Sequence, residues 1–224
     1  CVVVETLDRS LVGCRSLAHG AGLGDGMQDA ARHIEVIREL IAGLPADLRA
    51  RVAAVGVTGQ MHGVVAWSET RISPLATWQS TVRDLAEFQR VAPGLRHGFG
   101  VASLAQMAKA GALDGYTHAA TIHDYLVWRL TGAAGTPVMD ESDAASWGVY
   151  DLRARGFDRT VWRKLGIPEA LMPRVVPIGS RAGTLSGDWG LPTGIPVMAA
   201  IGDNQASVAA TAEHPADEIY LTLG

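Results

Sequence analysis

The chain contains 224 residues, of which 48% are hydrophobic and 19% are charged, and its formal net charge at pH 7 is −4. This composition is typical of a packed globular protein and excludes an intrinsically disordered chain. The slightly acidic balance gives no electrostatic footprint for nucleic acid, and the sequence has no run of about 18 apolar residues that would span a membrane. Cys1 and Cys14 are the only cysteines. They are too few for a disulfide framework, which favours a reducing compartment and predicts a cytoplasmic location.

The N-terminal part of the chain combines short apolar runs with one helical pattern. Residues 1–5 (CVVVE) predict a strand, with residues 11–18 as its partner. The glycines of residues 20–26 (GAGLGDG) recur at every second position, which does not match the spacing of a dinucleotide-binding fingerprint, so a flexible loop is predicted there. From Gln28 onward, apolar residues recur at helical spacing until residues 43–45 (GLP) end the pattern.

The next segment contains the first candidate ligand loop. Residues 52–58 (VAAVGVT) predict a buried central strand that leads directly into residues 59–63 (GQMHG), and residues 64–67 predict a further strand. Helices are predicted at 83–91 and 103–112.

The rest of the chain continues this alternation of strands, loops and helices. Its predicted elements are, in chain order, a helix ending near Gly132, a polar loop at 139–146, a strand at 149–151, a helix at 158–165 capped by Asp158, a strand at 195–201, a helix at 205–212 and a last strand at 218–223. Apolar strands that alternate with helices indicate a layered α/β domain.

Polar residues follow two of the predicted buried strands, and open α/β sheets bind ligands beyond the carboxyl ends of their strands. At the first junction, Gln60 and His62 lie between two glycines, which let the backbone approach a ligand closely. Their donors and acceptors suit hydroxyl groups. A tight turn in which His62 bonds to nearby backbone is the alternative interpretation.

The second junction is residues 202–205 (GDNQ), of which residues 202–204 predict a turn between a strand and a helix of small residues. An aspartate at the start of a helix is most often an N-cap that accepts from backbone amides. A cap, however, needs neither the preceding Gly202 nor the two amide side chains that follow. The pattern alone leaves open whether Asp203 is a cap or a catalytic carboxylate.

Two further groups of ionisable residues are candidate metal or catalytic sites. Asp140 and Asp143 lie three residues apart, but a solvated loop with local hydrogen bonds is the preferred interpretation. His123 and Asp124 are adjacent, so their side chains are expected to diverge, and structural support of the site is their predicted role. No metal site is therefore predicted.

Four motifs occur in the order seen in FGGY carbohydrate kinases, and together they resemble that family over nearly the whole chain. They are residues 59–63 (GQMHG), 122–132 (IHDYLVWRLTG), 142–151 (SDAASWGVYD) and 202–206 (GDNQA). Finer features resemble the sedoheptulokinase branch of the family. These are residues 77–79 (TWQ), 97–102 (HGFGVA), 121–125 (TIHDY) and 143–148 (DAASWG).

The resemblance implies an actin-like, ribonuclease-H-like α/β fold, in which helices flank a mixed sheet. Residues 1–224 would form the N-terminal, sugar-binding half of a two-domain sugar kinase. The family's Asp-x-Gly-Thr phosphate loop and its nucleotide domain find no match in this sequence, so we expect the main binding elements for the cofactors ATP and Mg²⁺ to lie outside it. On that expectation, these residues alone would be inactive.

The resemblance also implies roles for individual residues. Asp203 matches the family's general base. The implied sugar-binding residues are Gln60, Met61, His62, Trp78, Gln79, Asp143, Asn204 and Gln205. Arg83 follows the tryptophan motif at a spacing that departs from the common Trp-x-Asp-x-Arg form, so its role stays open.

The function predicted from these features is ATP-dependent phosphorylation of a terminal hydroxyl of a ketose, with sedoheptulose giving sedoheptulose 7-phosphate as the favoured case. A xylulokinase or another sugar or polyol kinase is one alternative, and a non-catalytic sugar-binding module or degenerate kinase is another. The expected partner is a small-molecule sugar, without nucleic acid or membrane, and a homodimer is left open.

Overall fold

The computed structural model describes residues 1–211, so the strand predicted at 218–223 lies outside the described residues. The helices are α1 (Ala30–Ala42), α2 (Ala46–Ala50), α3 (Leu85–Val91), α4 (Gly100–Lys109), α5 (Ile122–Leu130), α6 (Glu141–Ser146), α7 (Arg159–Lys164) and α8 (Asp203–Thr211), with a 3₁₀ turn at Glu169–Leu171. Within the described part of the chain, none of these helices has the length and apolar character needed to cross a membrane.

The strands are short and pair in both orientations. They are β1 (Val2–Val4), β2 (Leu11–Cys14), β3 (Gly22–Gly24), β4 (Met27–Gln28), β5 (Thr58–Gly59), β6 (Val65–Trp67), β7 (Leu75–Ala76), β8 (His118–Ala120), β9 (Val138–Asp140), β10 (Tyr150–Asp151), β11 (Gly156–Phe157), β12 (Arg174–Val176), β13 (Arg181–Thr184), β14 (Pro196–Met198) and β15 (Ile201–Gly202). Pairs β5–β15 and β9–β12 are parallel, and the remaining pairs are antiparallel.

One parallel alignment positions the candidate site. The amide of Val55 donates to the Pro196 carbonyl at 2.9 Å, and the amide of Ile201 donates to the Val57 carbonyl at 3.1 Å. The alignment ends with Gly59 opposite Gly202, the last residues of β5 and β15. Both segments therefore reach the same edge of the sheet with their carboxyl ends.

Several helices begin at a side-chain cap that the sequence signals. Asp29 accepts from the amides of Ala31 and Arg32 at the start of α1, and Asp158 caps α7 as predicted. Such a cap stabilises a helix by about 1 kcal/mol because it satisfies backbone donors that have no partner within the helix. Trp162 and Trp189 are buried in the core. Trp128 is half-buried against that core.

Three local predictions were wrong. The solvated loop predicted at 139–146 is instead the end of β9 followed by α6, because Asp140 caps α6 and β9 pairs with β12. The loop predicted at 20–26 contains β3, which turns into β4 through positive φ angles at residues 24–26. The turn predicted at 202–204 divides between β15 and α8, which begins at Asp203.

Candidate functional site

The two loops singled out by the sequence lie side by side. Gly59 and Gly202 are register partners, and each is the last residue of its strand. Because parallel strands end at the same edge of a sheet, the residues that follow them face one cleft. The structure thus brings together six of the predicted site residues: Gln60, Met61, His62, Asp203, Asn204 and Gln205.

Gly202 is the point where side chains from three elements converge. A Cβ atom at Gly202 would lie 2.7 Å from Met61 Cγ and 2.9 Å from Asp143 Oδ1, and it would overlap with Gln205 Oε1. Only glycine fits at this position without displacing its neighbours. Asp143 is completely buried, so in this conformation it supports the site from within the protein.

Asp203 is exposed and is the first residue of α8. Its Oδ1 accepts from the backbone amide of Asn204 at 2.8 Å. An N-cap would accept from an amide two or three residues further on. The carboxylate of Asp203 therefore does not make the usual cap contact, and it lies directly after the register partner of Gly59. Its role as a general base stays a prediction.

His62 is held by the backbone of another element. Its φ angle is +73°, its Nδ1 donates to the Ser146 carbonyl at 2.8 Å, and its ring stacks on Phe99 with 4.8 Å between centroids. Because Nδ1 carries the proton in this bond, Nε2 of a neutral His62 is left as an acceptor. The alternative predicted for His62, a turn with a bond to backbone, describes its geometry and leaves its second nitrogen free to bind a ligand.

Gln60 belongs to a polar network that sequence reasoning missed. Its Nε2 donates to Gln28 Oε1 at 3.3 Å, and the same oxygen accepts from His33 Nε2 at 2.8 Å. Burial lowers the pKa of His33, and the charge of the stacked His19 acts in the same direction. No local pattern in the sequence indicates this contact, because it joins residues from separate elements.

The loop that carries Trp78 and Gln79 has a fixed backbone and exposed side chains. The hydroxyl of Thr77 donates to the Gly26 carbonyl at 2.7 Å. A Cβ at Gly26 would lie 2.6 Å from the carbonyl carbon of Gln79, and a Cβ at Gly98 would overlap with the backbone of Trp78. The loop begins beside the end of the first ligand loop, since a Cβ at Gly63 would lie 3.2 Å from Thr77 Cα.

Arg83, whose role the sequence left open, is exposed in the segment before α3. Its charge helps to lower the pKa of Asp84, after the larger effects of hydrogen bonds from Lys109 and Gln106. The structure gives Arg83 no position in the cleft formed by the two strand ends.

A cluster of buried ionisable side chains supports the two strand ends from the interior. His123 Nε2 donates to Asp143 Oδ2 at 2.6 Å, and at most 2% of either side chain is exposed. Burial disfavours the charged form of His123, but the hydrogen bond and charge of Asp143 outweigh this and raise the pKa of His123. Burial raises the pKa of Asp124 to about 8 and also raises that of Asp140.

The cluster corrects two expectations. Asp140 and Asp143 are 1% and 0% exposed, so the solvated-loop interpretation is wrong. His123 and Asp124 were expected to diverge, yet one polar atom from each lies within 4.8 Å of the other and of Asp143. The starts of α5 and α6 meet below β5 and β15, which brings these side chains together. The predicted supporting role of His123 agrees with this geometry.

The nine predicted site residues suit a hydroxylated ligand better than a nucleotide. They offer amide, imidazole, indole and carboxylate groups, which exchange hydrogen bonds with hydroxyls. None of the nine is a lysine or arginine. A triphosphate needs cationic groups and several backbone donors, so these residues do not fit the phosphates of ATP.

A family model and a sequence relative that match the chain both describe carbohydrate kinases. Residues 105–210 match the model of the FGGY family of carbohydrate kinases, N-terminal domain. A sedoheptulokinase from Homo sapiens is 35% identical over 207 residues, a match that takes in 81% of this chain and 43% of the human protein. The chain thus spans less than half of that relative's length.

Solved structures resemble the chain over nearly all of its length. A xyloylose kinase from Brucella ovis is 26% identical with a TM-score of 0.77, covering 92% of this chain and 47% of that one. A xylulose kinase from Rhodospirillum rubrum is 20% identical with a TM-score of 0.79, covering 92% and 48%. These likenesses confirm the predicted actin-like α/β fold.

Proposed function

Because the chain belongs to the FGGY family of carbohydrate kinases, we propose that it forms the sugar-binding half of an ATP-dependent ketose kinase. One observation carries the proposal: Asp203 directly follows Gly202, the register partner of Gly59, so its exposed carboxylate leaves the same sheet edge as Gln60 and His62. A general base and hydroxyl-binding groups are thereby assembled from two distant segments.

The proposed acceptor is a terminal hydroxyl of sedoheptulose, and the product is sedoheptulose 7-phosphate. The 35% identity to the human sedoheptulokinase supports this substrate. A xylulokinase activity is the second candidate, supported by the likeness to the xyloylose kinase from Brucella ovis. A ketose carries many hydroxyls, and a site that hydrogen-bonds them rejects analogues that leave its polar groups unpaired.

In the proposed mechanism, Gln60, His62 and Asn204 hold the sugar hydroxyls, while Asp203 accepts the proton of the attacking hydroxyl. Phosphoryl transfer depends mainly on positioning and charge stabilisation, and general-base help is typically worth about 10²- to 10⁴-fold. ATP with Mg²⁺ would supply the phosphoryl group, and the predicted site residues, which include no lysine or arginine, would not hold its phosphates.

We also propose a cytoplasmic location, which the two free, exposed cysteines support. A homodimer stays a prediction.

A panel of ketoses and polyols, assayed with ATP and the complete gene product, tests the proposal. We expect turnover of sedoheptulose, and we expect Asp203→Ala to lower kcat about 10²- to 10⁴-fold while calorimetry still detects sugar binding. Asp47→Ala is the matched control, because Asp47 is likewise an exposed acidic residue in the first turn of a helix.

Other outcomes assign a different function. A clear preference for D-xylulose would replace the proposed substrate. Sugar binding without any phosphorylation by the complete protein would identify a non-catalytic module and overturn the kinase proposal.

A further inference from the structure

Two buried oxygen atoms without partners lie against the same glycine. Asp143 Oδ1 and Gln205 Oε1 make no hydrogen bond to any described residue, and both atoms are buried. Both approach the position that a Cβ at Gly202 would occupy. Two unpaired acceptors beside one glycine are unfavourable, because a buried polar atom without a partner costs free energy.

A rotation of one side-chain amide removes this conflict. The oxygen and nitrogen of a glutamine carboxamide have nearly the same size, so their assignment follows from the hydrogen-bond network. With the Gln205 carboxamide turned by half a revolution, Nε2 would take the place of Oε1 beside Gly202 and would offer a donor to Asp143 Oδ1.

The other oxygen of Asp143 is already bound. His123 Nε2 donates to Oδ2 at 2.6 Å. The Asp143 backbone is fixed separately, because its amide donates a hydrogen bond to Asp140 Oδ1 at 2.8 Å. A Cβ at Gly59 would lie 2.8 Å from His123 Nδ1, so His123 contacts the end of β5 while Asp143 contacts the end of β15. With the rotated Gln205 carboxamide, the carboxylate would link α5 to the first turn of α8.

We infer that His123, Asp143 and Gln205 form a buried hydrogen-bonded chain that positions the start of α8, and with it Asp203. This inference rests on the proposed function, in which Asp203 is the general base. His123 and Asp143 are positioning residues, since they act through Gln205 and the helix backbone. Loss of these buried hydrogen bonds lowers kcat and leaves sugar affinity nearly unchanged, whereas loss of a direct sugar contact weakens sugar binding.

The kinetic test compares two substitutions of one residue. His123→Gln retains a side-chain N–H that reaches Asp143, whereas His123→Leu fills similar volume without a donor. A displacement of about 1 Å at a reacting group costs up to about a hundredfold in rate. We therefore expect His123→Leu to lower kcat about 10- to 100-fold with sugar Kd changed less than about threefold, and His123→Gln to keep kcat within about threefold.

His118→Gln is the control, because His118 is a half-buried histidine that stacks on Trp67 and belongs to the β6–β8 pair, a different sheet from β5–β15. It should leave both constants unchanged. Equal effects of the glutamine and leucine variants at position 123, or a loss of sugar affinity in place of kcat, would overturn the inference. If Asp203→Ala lowers kcat and His123→Leu does not, the inference fails while the proposed function stands. A complete wild-type protein that phosphorylates no sugar overturns the proposed function and the positioning role with it.

A measurement on the unaltered chain covers the case in which His123→Leu does not fold. In ¹⁵N-labelled protein, the Gln205 side-chain amide protons should exchange slowly with solvent, and their resonances should move in Asp143→Asn. Gln205 amide protons that exchange as fast as those of Gln79, whose side chain is exposed, would contradict the hydrogen-bonded chain.

Discussion

The backbone of His62 lies in the left-handed region that glycine adopts easily and other residues rarely do. A non-glycine residue pays about 1–2 kcal/mol for this conformation. In His62 the cost is offset by the Nδ1 bond to the Ser146 carbonyl and by stacking on Phe99. The strained geometry places an imidazole at the end of β5, which an extended backbone would direct elsewhere.

Because of this strain, two substitutions of His62 should have the reverse of their usual order of stability. His62→Ala and His62→Gly both lose the ring contacts, but only alanine keeps the left-handed penalty. We expect the glycine variant to be more stable than the alanine variant by about 1 kcal/mol in urea denaturation. At Gln60, which has no positive φ, the same pair should show the usual order, with alanine the more stable. Alanine at least as stable as glycine at position 62 would show that the loop relaxes.

At the scale of elements, the loop that carries Trp78 is fixed from two sides. Gly26 and Gly98 have φ angles of +72° and +76°, and each leaves no room for a Cβ against the loop backbone. The backbone is thereby held although Trp78 is 54% exposed. An aromatic surface that is presented on a rigid loop loses little entropy when it packs against a ligand.

Two glycine substitutions distinguish the loss of stability caused by backbone strain from the loss caused by steric overlap. Gly98→Ala introduces an alanine in the left-handed region and also an overlap of its Cβ with the Trp78 backbone. Gly111→Ala introduces only the left-handed alanine, since the φ angle of Gly111 is +65° and no atom lies within 4 Å of the Cβ position. Both should lose about 1–2 kcal/mol of stability through conformation. We expect an additional loss in Gly98→Ala, together with a shift in tryptophan fluorescence. Equal melting temperatures for the two variants would contradict the fixed loop.

For the molecule as a whole, the decisive contacts join segments that are far apart in the chain. Local signals were enough to predict α1 and α7, because their caps and apolar spacing act within a few residues. The burial of Asp143 could not be predicted in this way, since it depends on β9 pairing with β12. Strand-end reasoning correctly placed Gln60 and Asp203 together, but not Gln28 and His33, which reach the site across elements.

A buried carboxylate makes the stability of the whole fold depend on pH. Burial raises the pKa of Asp124 from 3.8 to about 8, so between these values the folded protein keeps a proton that the unfolded chain releases. The free energy of unfolding therefore falls as pH rises through this range, by at most about 1.4 kcal/mol per pH unit for one proton. The raised pKa of His123 acts in the same direction above its ordinary value of 6.5.

Urea denaturation at about pH 5 and about pH 8 measures this dependence. Asp124→Asn, which resembles the protonated carboxyl group, should make the free energy of unfolding much less sensitive to pH. Asp151→Asn is the control, because hydrogen bonds from the amides of Ala154 and Arg153 lower the pKa of Asp151, so its titration ends below this range. An unchanged pH slope in Asp124→Asn would show that Asp124 is ionised in the folded protein.

The register between Gly59 and Gly202 has a consequence for any molecule bound between the two loops. Such a molecule acts as a non-covalent cross-link, because it fastens together two stretches that most of the polypeptide separates. Its binding energy then opposes every opening motion that parts β5 from β15, including those that expose the intervening chain to proteases. Occupancy of the cleft would for this reason protect bonds far from the cleft itself.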